Sequence, residues 1–512
     1  MISAGQERLK RLFLLTVCTV LLFLVGFWSI GFKPMPVTSL GHALNDQVGY
    51  VSGGRSLVES GQINTHWILP STLGQKTKTQ VLYVPGHYYA MAVAFKLFGY
   101  HPWAELIPSL LGFILLVCGV YLIAENLFGK DSALGSAVIV LFFPYLLLFS
   151  LTSMAELTVL ASAVTAFVFC LWVPRSWVSI LGPVFILSAV CFRETSILIV
   201  LPLLGVLWNR IDSSKKWQNL GVLSLTLVAG CYLLFRGPLG GRPGLMAAQM
   251  FGGFNELYSD ATFTQSFHAS VGQWIQALIQ RWVDNVILLF HLRPLTFEVA
   301  VTKSLVFMSV AILIWGALKR SCFEMTVGLM GVVLCGVQMA IYTPASFRAT
   351  RVFLLLSPFI AIVVGNGVHH LRVKKLGKIL GLSVFALISL KCGWFNIASR
   401  VPKERAQEQK VVQFVNDLDP DKHKTLIGPF WLVSPWVKEN YPADWSFLPA
   451  NRETFRLLEE SHPVGMILLH DSERAVMPLS VLQELGYSLL KETLFQGEKY
   501  FVLTLDRRTG AK

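Results

Sequence analysis

The feature that most limits this chain is a series of long apolar runs separated by short basic links. They occur at 12–32, 104–125, 133–150, 154–173, 177–192, 195–208, 218–236, 298–318, 323–342, 351–369 and 378–397. A helix needs roughly 20 apolar residues to cross about 30 Å of hydrocarbon. Most of these runs reach or approach that length, and Arg193 and Glu194 interrupt the pair between 177 and 208. The expected fold is a polytopic α-helical membrane protein with about eleven transmembrane helices. Charged residues make up only 14% of the chain and apolar residues 54%, which excludes a secreted, disordered or purely cytosolic protein.

The charge is unevenly placed. Residues 398–512 hold 15 Lys and Arg against 16 Asp and Glu, whereas the preceding 397 residues hold 28 against 14. The net charge of +13 therefore lies in the membrane part, where it reads as an orientation signal and not as a nucleic-acid footprint. Lys130, Arg175, Arg210, Lys215, Lys216, Lys319, Arg320, Arg372, Lys374, Lys375 and Lys378 fall on alternate links. The positive-inside rule then puts the N-terminus in the cytoplasm, and an odd helix count puts the C-terminus outside. The run after Arg8, Lys10 and Arg11 is too long for a signal-peptide core and reads as a retained anchor.

Two large loops, 33–103 and 237–297, face outside in this layout. Their amphipathic stretches at 87–99 and 270–292 suit the interface plane. The division expected is a membrane domain over 1–397 and a soluble α/β extracytoplasmic domain over 398–512. In the latter, strand-like runs at 424–430, 464–470 and 499–505 alternate with helical patterns at 451–460 and 478–486. The eight cysteines sit in or beside apolar runs without a CxxC pair, so neither a disulfide framework nor a thiolate metal site is expected.

Ionisable groups near a membrane are costly and mark function. Asp46, Glu156 and Glu194 stand at or beyond the outer ends of predicted helices, and Arg193, Arg348 and Arg351 occupy turns on the same side. Each has a structural alternative: Asp46 and Glu156 as helix-start acids, and the arginines as interface anchors. His87, among tyrosines, has the alternative of an aromatic-belt residue.

The order of these motifs resembles the GT-C glycosyltransferases of the protein-mannosyltransferase and aminoarabinose-transferase type. Asp46…Tyr50…Gly61 is similar to that family's first outer loop. Tyr83-Val84-Pro85-Gly86-His87-Tyr88-Tyr89, followed by Leu97-Phe98-Gly99 and Trp103-Ala104, is similar to its stretch entering the second helix. Ser153-Met154-Ala155-Glu156 resembles the second acidic motif, and Arg348–Pro358 the Arg-led helix start. Pro85-Gly86 stands where the family has Pro-Pro, and Glu105 where a basic residue is common.

The resemblance implies transfer of a sugar from a polyprenyl-phosphate carrier to a lipid, glycan or protein acceptor on the outer face of a membrane, expected to be a bacterial inner membrane. Asp46 and Glu156 would be catalytic, with a loop carboxylate as general base and inversion at the anomeric carbon. Tyr50, His87, Arg193, Glu194, Arg348 and Arg351 would bind substrate. No cofactor is required by the pattern, and a divalent ion shared by Asp46 and Glu156 stays open. A transporter or flippase for a lipid-linked or anionic substrate is the alternative, although the chain lacks the repeated halves common in transporters. A catalytically inactive scaffold is the third reading.

Overall fold

A computed structural model describes residues 4–37, 46–68, 85–173, 177–210, short helical pieces between 221 and 287, 297–341, 354–370, 375–418, 425–440, 444–446, 448, 452–461, 464–475 and 477–505. Each apolar run read from the sequence is mostly helical where it is described. Among the described residues, Gly5–Ser29 and Ala104–Phe128 are long and apolar enough to cross a membrane by themselves.

Several runs are broken for visible reasons. The 133–150 run is two helices, Lys130–Leu141 and Pro144–Ser150. Pro144 lacks an amide proton, and proline disfavours a helical residue before it; Phe143 is accordingly extended, at ψ 120°. The Val178–Val190 helix ends before the extended Arg193, after which a 3₁₀ turn Glu194–Ile199 leads into Val200–Arg210. This is the interruption that the charged pair predicted. The last run continues from Lys375–Ser389 through a π turn, Leu390–Phe395.

The bundle core is aromatic and aliphatic, with Phe113, Tyr121, Tyr145, Phe149, Phe167 and Phe359 fully buried. Its outside is equally apolar. Phe13, Trp28, Leu111, Leu318, Leu376 and Leu387 are all exposed, a surface that water does not tolerate in patches and lipid does. The Gly86–Phe98 helix of the first loop buries one face and exposes Tyr89, Val93 and Leu97. Their four-residue spacing makes one apolar stripe, as a helix lying in the interface requires.

The 425–505 region folds as expected at β2 (Thr425–Ile427), β4 (Val464–His470) and β6 (Glu498–Leu505), with helices Arg452–Ser461 and Leu479–Glu484 between them. Besides the two-residue strands β1 (Trp67–Ile68) and β3 (Trp445–Ser446), three longer elements were not anticipated. These are the Val401–Leu418 helix, the Phe430–Glu439 helix and β5 (Tyr487–Phe495). β5 joins β6 through Gln496 and Gly497, both at positive φ (55° and 86°), the conformation of a tight hairpin turn. The six-stranded sheet has the order β1-β3-β2-β4-β6-β5, parallel up to β4 and antiparallel beyond it. Its edge strand β1 is Trp67–Ile68, from the first outer loop, paired with β3 (Trp445–Ser446). The sheet therefore draws on both sides of the boundary expected at 398.

Candidate active site

The Asp46–Ser60 helix of the first loop begins the site. Asp46 is its first residue, where the helix dipole favours a carboxylate, and it is half-buried. Tyr50 lies one turn on, on the same face. Its ring meets the His87 imidazole edge to face, with centroids 4.7 Å apart, and the Tyr88 ring at 5.5 Å. That approach needs small residues. A Cβ on Gly53 would come within 2.4 Å of the Tyr88 ring, and one on Gly54 within 2.7 Å of the Met91 Cβ.

Gly86 then docks the second loop helix onto the turn that carries Arg193. Its amide donates to the Cys191 carbonyl at 2.8 Å, and a Cβ there would stand 2.6 Å from that same oxygen. The next residue, His87, is wholly buried. Its Nε2–H donates to the Ser153 carbonyl at 3.0 Å, and Nδ1 lies 2.9 Å from the Thr158 hydroxyl. Burial pushes its pKa down to about 4, against a smaller upward effect from the Ser153 hydrogen bond and the Glu156 charge, so the ring is neutral at pH 7.

Ser153 is the hub of the site. Its amide donates to Gln47 Oε1 at 2.9 Å, while Gln47 Nε2 reaches the Met35 carbonyl at 3.4 Å. Its hydroxyl donates to Glu105 Oε2 at 3.0 Å. Ser109 donates to the neighbouring Thr152 carbonyl at 2.7 Å. Immediately beyond this pinned turn, Glu156 opens a helix with its side chain buried and accepts from Arg193 Nη2 at 3.1 Å. Gly112 lets that helix pack tightly, since a Cβ there would stand 2.8 Å from the Leu157 backbone.

Tyr50, His87, Glu156 and Arg193 are thus brought together around one turn, and Asp46 adjoins it through its neighbour Gln47. The backbone of Glu194 begins the 3₁₀ turn next to Arg193. Arg348 and Arg351 lie outside the described residues. No group of three His, Cys, Asp or Glu that could hold a metal occurs among the described residues.

Gln47 and Ser153 are neutral, so neither stands out in the sequence as a site residue, Ser153 figuring there only as the start of the acidic motif. Glu105 carried a signal, as an acid in an unusual place. It is buried, 3.2 Å from Lys438 and 3.7 Å from Arg55, so its basic partners come from the tail and from the first-loop helix. Beside it opens a cavity of about 690 Å³, lined in part by Arg55, Tyr100, Glu105, Arg405, Asn416 and Lys438. The loop and the tail therefore frame one polar space.

Residues 83–234 match the family model described as dolichyl-phosphate-mannose-protein mannosyltransferase. No curated protein sequence matches the chain. Among solved structures, the chain is similar to ArnT from Cupriavidus metallidurans bound to undecaprenyl phosphate, with 13% identity, a TM-score of 0.56, and coverage of 97% of this chain and 99% of that one. It is also similar to the apo oligosaccharyltransferase of Archaeoglobus fulgidus, with 13% identity, a TM-score of 0.55, and coverage of 91% and 70%. ArnT in its apo state gives 12% identity, a TM-score of 0.53 and 98% coverage of each chain. These likenesses give the chain the GT-C fold. With the family match they indicate a membrane glycosyltransferase.

Proposed function

We propose that the chain moves a sugar from a polyprenyl-phosphate carrier to a hydroxyl of a lipid, glycan or protein acceptor on the outer face of the membrane. Support comes from one arrangement above all: an acid at the head of the first-loop helix adjoins a buried acid–arginine pair across the pinned Ser153 turn. This arrangement occurs in the fold that, in ArnT, was seen with undecaprenyl phosphate.

Asp46 takes the proton of the acceptor hydroxyl as its oxygen bonds to the anomeric carbon. The bond from that carbon to the phosphate oxygen breaks, and the carrier phosphate departs with the electron pair. One displacement with one base inverts the centre. Glu156, held by Arg193, orders the wall opposite the incoming hydroxyl. Tyr50 and His87 position that wall from behind, and Glu194 sits beside it. Arg348 and Arg351 grip the carrier phosphate, whose charge grows as it leaves. The cavity beside Glu105 gives the acceptor room between loop and tail. Eleven spans, with the N-terminus inside and the C-terminus outside, place all of this on the outer face of a bacterial inner membrane.

The test uses purified protein in nanodiscs, a panel of radiolabelled undecaprenyl-phosphate sugars and envelope extract as acceptor. Asp46→Asn keeps shape and polarity but loses the basic lone pair, so turnover should fall 10²–10⁴-fold with unchanged thermal unfolding. Retention of more than about a tenth of the rate would remove Asp46 as base, since a general base contributes more than that. Absence of transfer from every donor would overturn the reading itself.

A further inference from the structure

The opposite end of the bundle carries a groove that sugar transfer does not use. The Lys130–Leu141 and Ser357–His370 helices pack closely, because a Cβ on Gly365 would stand 2.2 Å from Ser136 Oγ, and Ser132 donates to Asn366 Oδ1 at 3.3 Å. The Lys375–Ser389 helix stands away from this pair. Two adjoining cavities of about 860 and 390 Å³ fill the gap, and Val368, Lys378 and Leu382 line both. Leu134, Ile379 and Leu387 of the groove are exposed. The walls are apolar down to Phe142 and Leu390 apart from Ser383, and the charged and imidazole side chains gather at one end as Asp131, His369 and Lys378.

We infer that this groove binds one anionic glycerophospholipid of the inner leaflet, with an acyl chain along the slot and the phosphate on Lys378. Three observations support this occupant. Lys378 already donates to the His369 carbonyl, which fixes its ammonium at the mouth, and an ammonium carries three donors. The stretch that joins the two groove helices carries Arg372, Lys374, Lys375 and Lys378 in sequence, a balance that favours an anion despite Asp131; basic sites between helices on the cytoplasmic side suit anionic head groups. Length also fits. From Asp131 to Phe142 the helix rises roughly 16 Å at about 1.5 Å per residue, which is one leaflet of a core about 30 Å thick. The name of the leaflet rests on the orientation proposed above; the binding itself does not.

The experiment is native mass spectrometry of the full chain released from nanodiscs containing equal phosphatidylglycerol and phosphatidylcholine. One phosphatidylglycerol should stay bound, at least tenfold over phosphatidylcholine. Lys378→Ala should remove that preference and Lys378→Arg should keep it. Leu134→Trp with Ala386→Trp should lower retention of both lipids. A photoreactive phosphatidylglycerol on the unaltered chain, which needs no variant to fold, should label peptides within 131–142 and 378–390. Equal retention of the two lipids or labelling elsewhere would sink the inference. So would displacement by undecaprenyl phosphate, which assigns the slot to the donor's tail, or a dimer mass from the unaltered chain, which assigns it to a second copy.

Discussion

The two ends of the bundle both carry ion pairs, and they differ in kind. At the N-terminal end, Arg8–Glu125 and Arg11–Glu7 are 2.6 Å apart and Lys130–Glu7 is 3.1 Å; both partners of the two Glu7 pairs are at least 30% exposed, whereas Arg8 is exposed and Glu125 only 7% so. At the opposite end, Arg193–Glu156 is no shorter, at 3.1 Å, and Glu156 is only 1% exposed. Glu105 is 4% exposed and meets Lys438 and Arg55 at 3.2 and 3.7 Å. Distance ranks these pairs the wrong way round. Burial decides, because an exposed pair is already solvated and screened, whereas a buried acid that loses its basic partner is costly to keep charged. The Glu7 pairs are fastened loosely, and those of Glu156 and Glu105 are held in a fixed shape.

The sharpest way to break this contrast is to cut one of the buried pairs. Arg193→Ala leaves Glu156 enclosed without its arginine, and should cost about 3–5 kcal/mol, visible as a large drop in melting temperature in detergent. Glu156→Met with Arg193→Met should recover most of that stability but not the transfer activity. A loss below about 1 kcal/mol for Arg193→Ala would put the pair in the class of exposed ones.

Acid should act next. In the first loop, outside the spanning helices, burial pushes the His87 pKa down to about 4 in the folded chain, against about 6.5 when unfolded. The unfolded chain therefore takes up the proton first as pH falls. Stability contributed by the neutral ring is complete above about 6.5 and declines by about 1.4 kcal/mol per unit down to about 4. Melting curves across that range should show the slope, and His87→Gln should flatten it. An unchanged slope in the variant would move the acid sensitivity to another group.

The smallest effect belongs to the Glu7 pairs. Glu7→Gln removes the common partner of Arg11, which is partly exposed, and of Lys130, which is exposed. Its melting temperature should match the parent within replicate scatter, and raising the salt should do no more to the parent than to the variant. A clear loss would show that proximity outweighs exposure here after all.

What could be read from sequence follows from the same distinction. Apolar periodicity located the helices, and β4 fell on 464–470 because a buried strand is continuously apolar. β5 escaped notice because it is an edge strand whose residues are mostly exposed, leaving no alternation to see. The Val401–Leu418 helix buries only Val401, Val411, Val415 and Leu418, too sparse a stripe to stand out. Asp46 and Tyr50 stood out through the resemblance of Asp46…Tyr50…Gly61 to a known loop pattern, and Arg193 and Glu156 as rare charges. The Gln47–Ser153 bond spans 106 positions between two uncharged residues, and the partners of Glu105 include a lysine in the tail. Such contacts are set by tertiary approach, which no local pattern encodes. The sidedness that the positive links imply and the roles of Arg348 and Arg351 rest on sequence.

The strand that the first loop lends to the tail sheet bears on how such chains can be recombined. A transplanted tail would arrive without the two residues that complete its parallel edge, and β3 would present unpaired backbone groups to solvent. A workable graft has to carry Trp67–Ile68 along with the tail, or supply a host loop able to pair with Trp445–Ser446. Loop and tail are in this respect a single heritable unit split by most of the helical bundle, and exchange between relatives should succeed only when both halves come from the same parent.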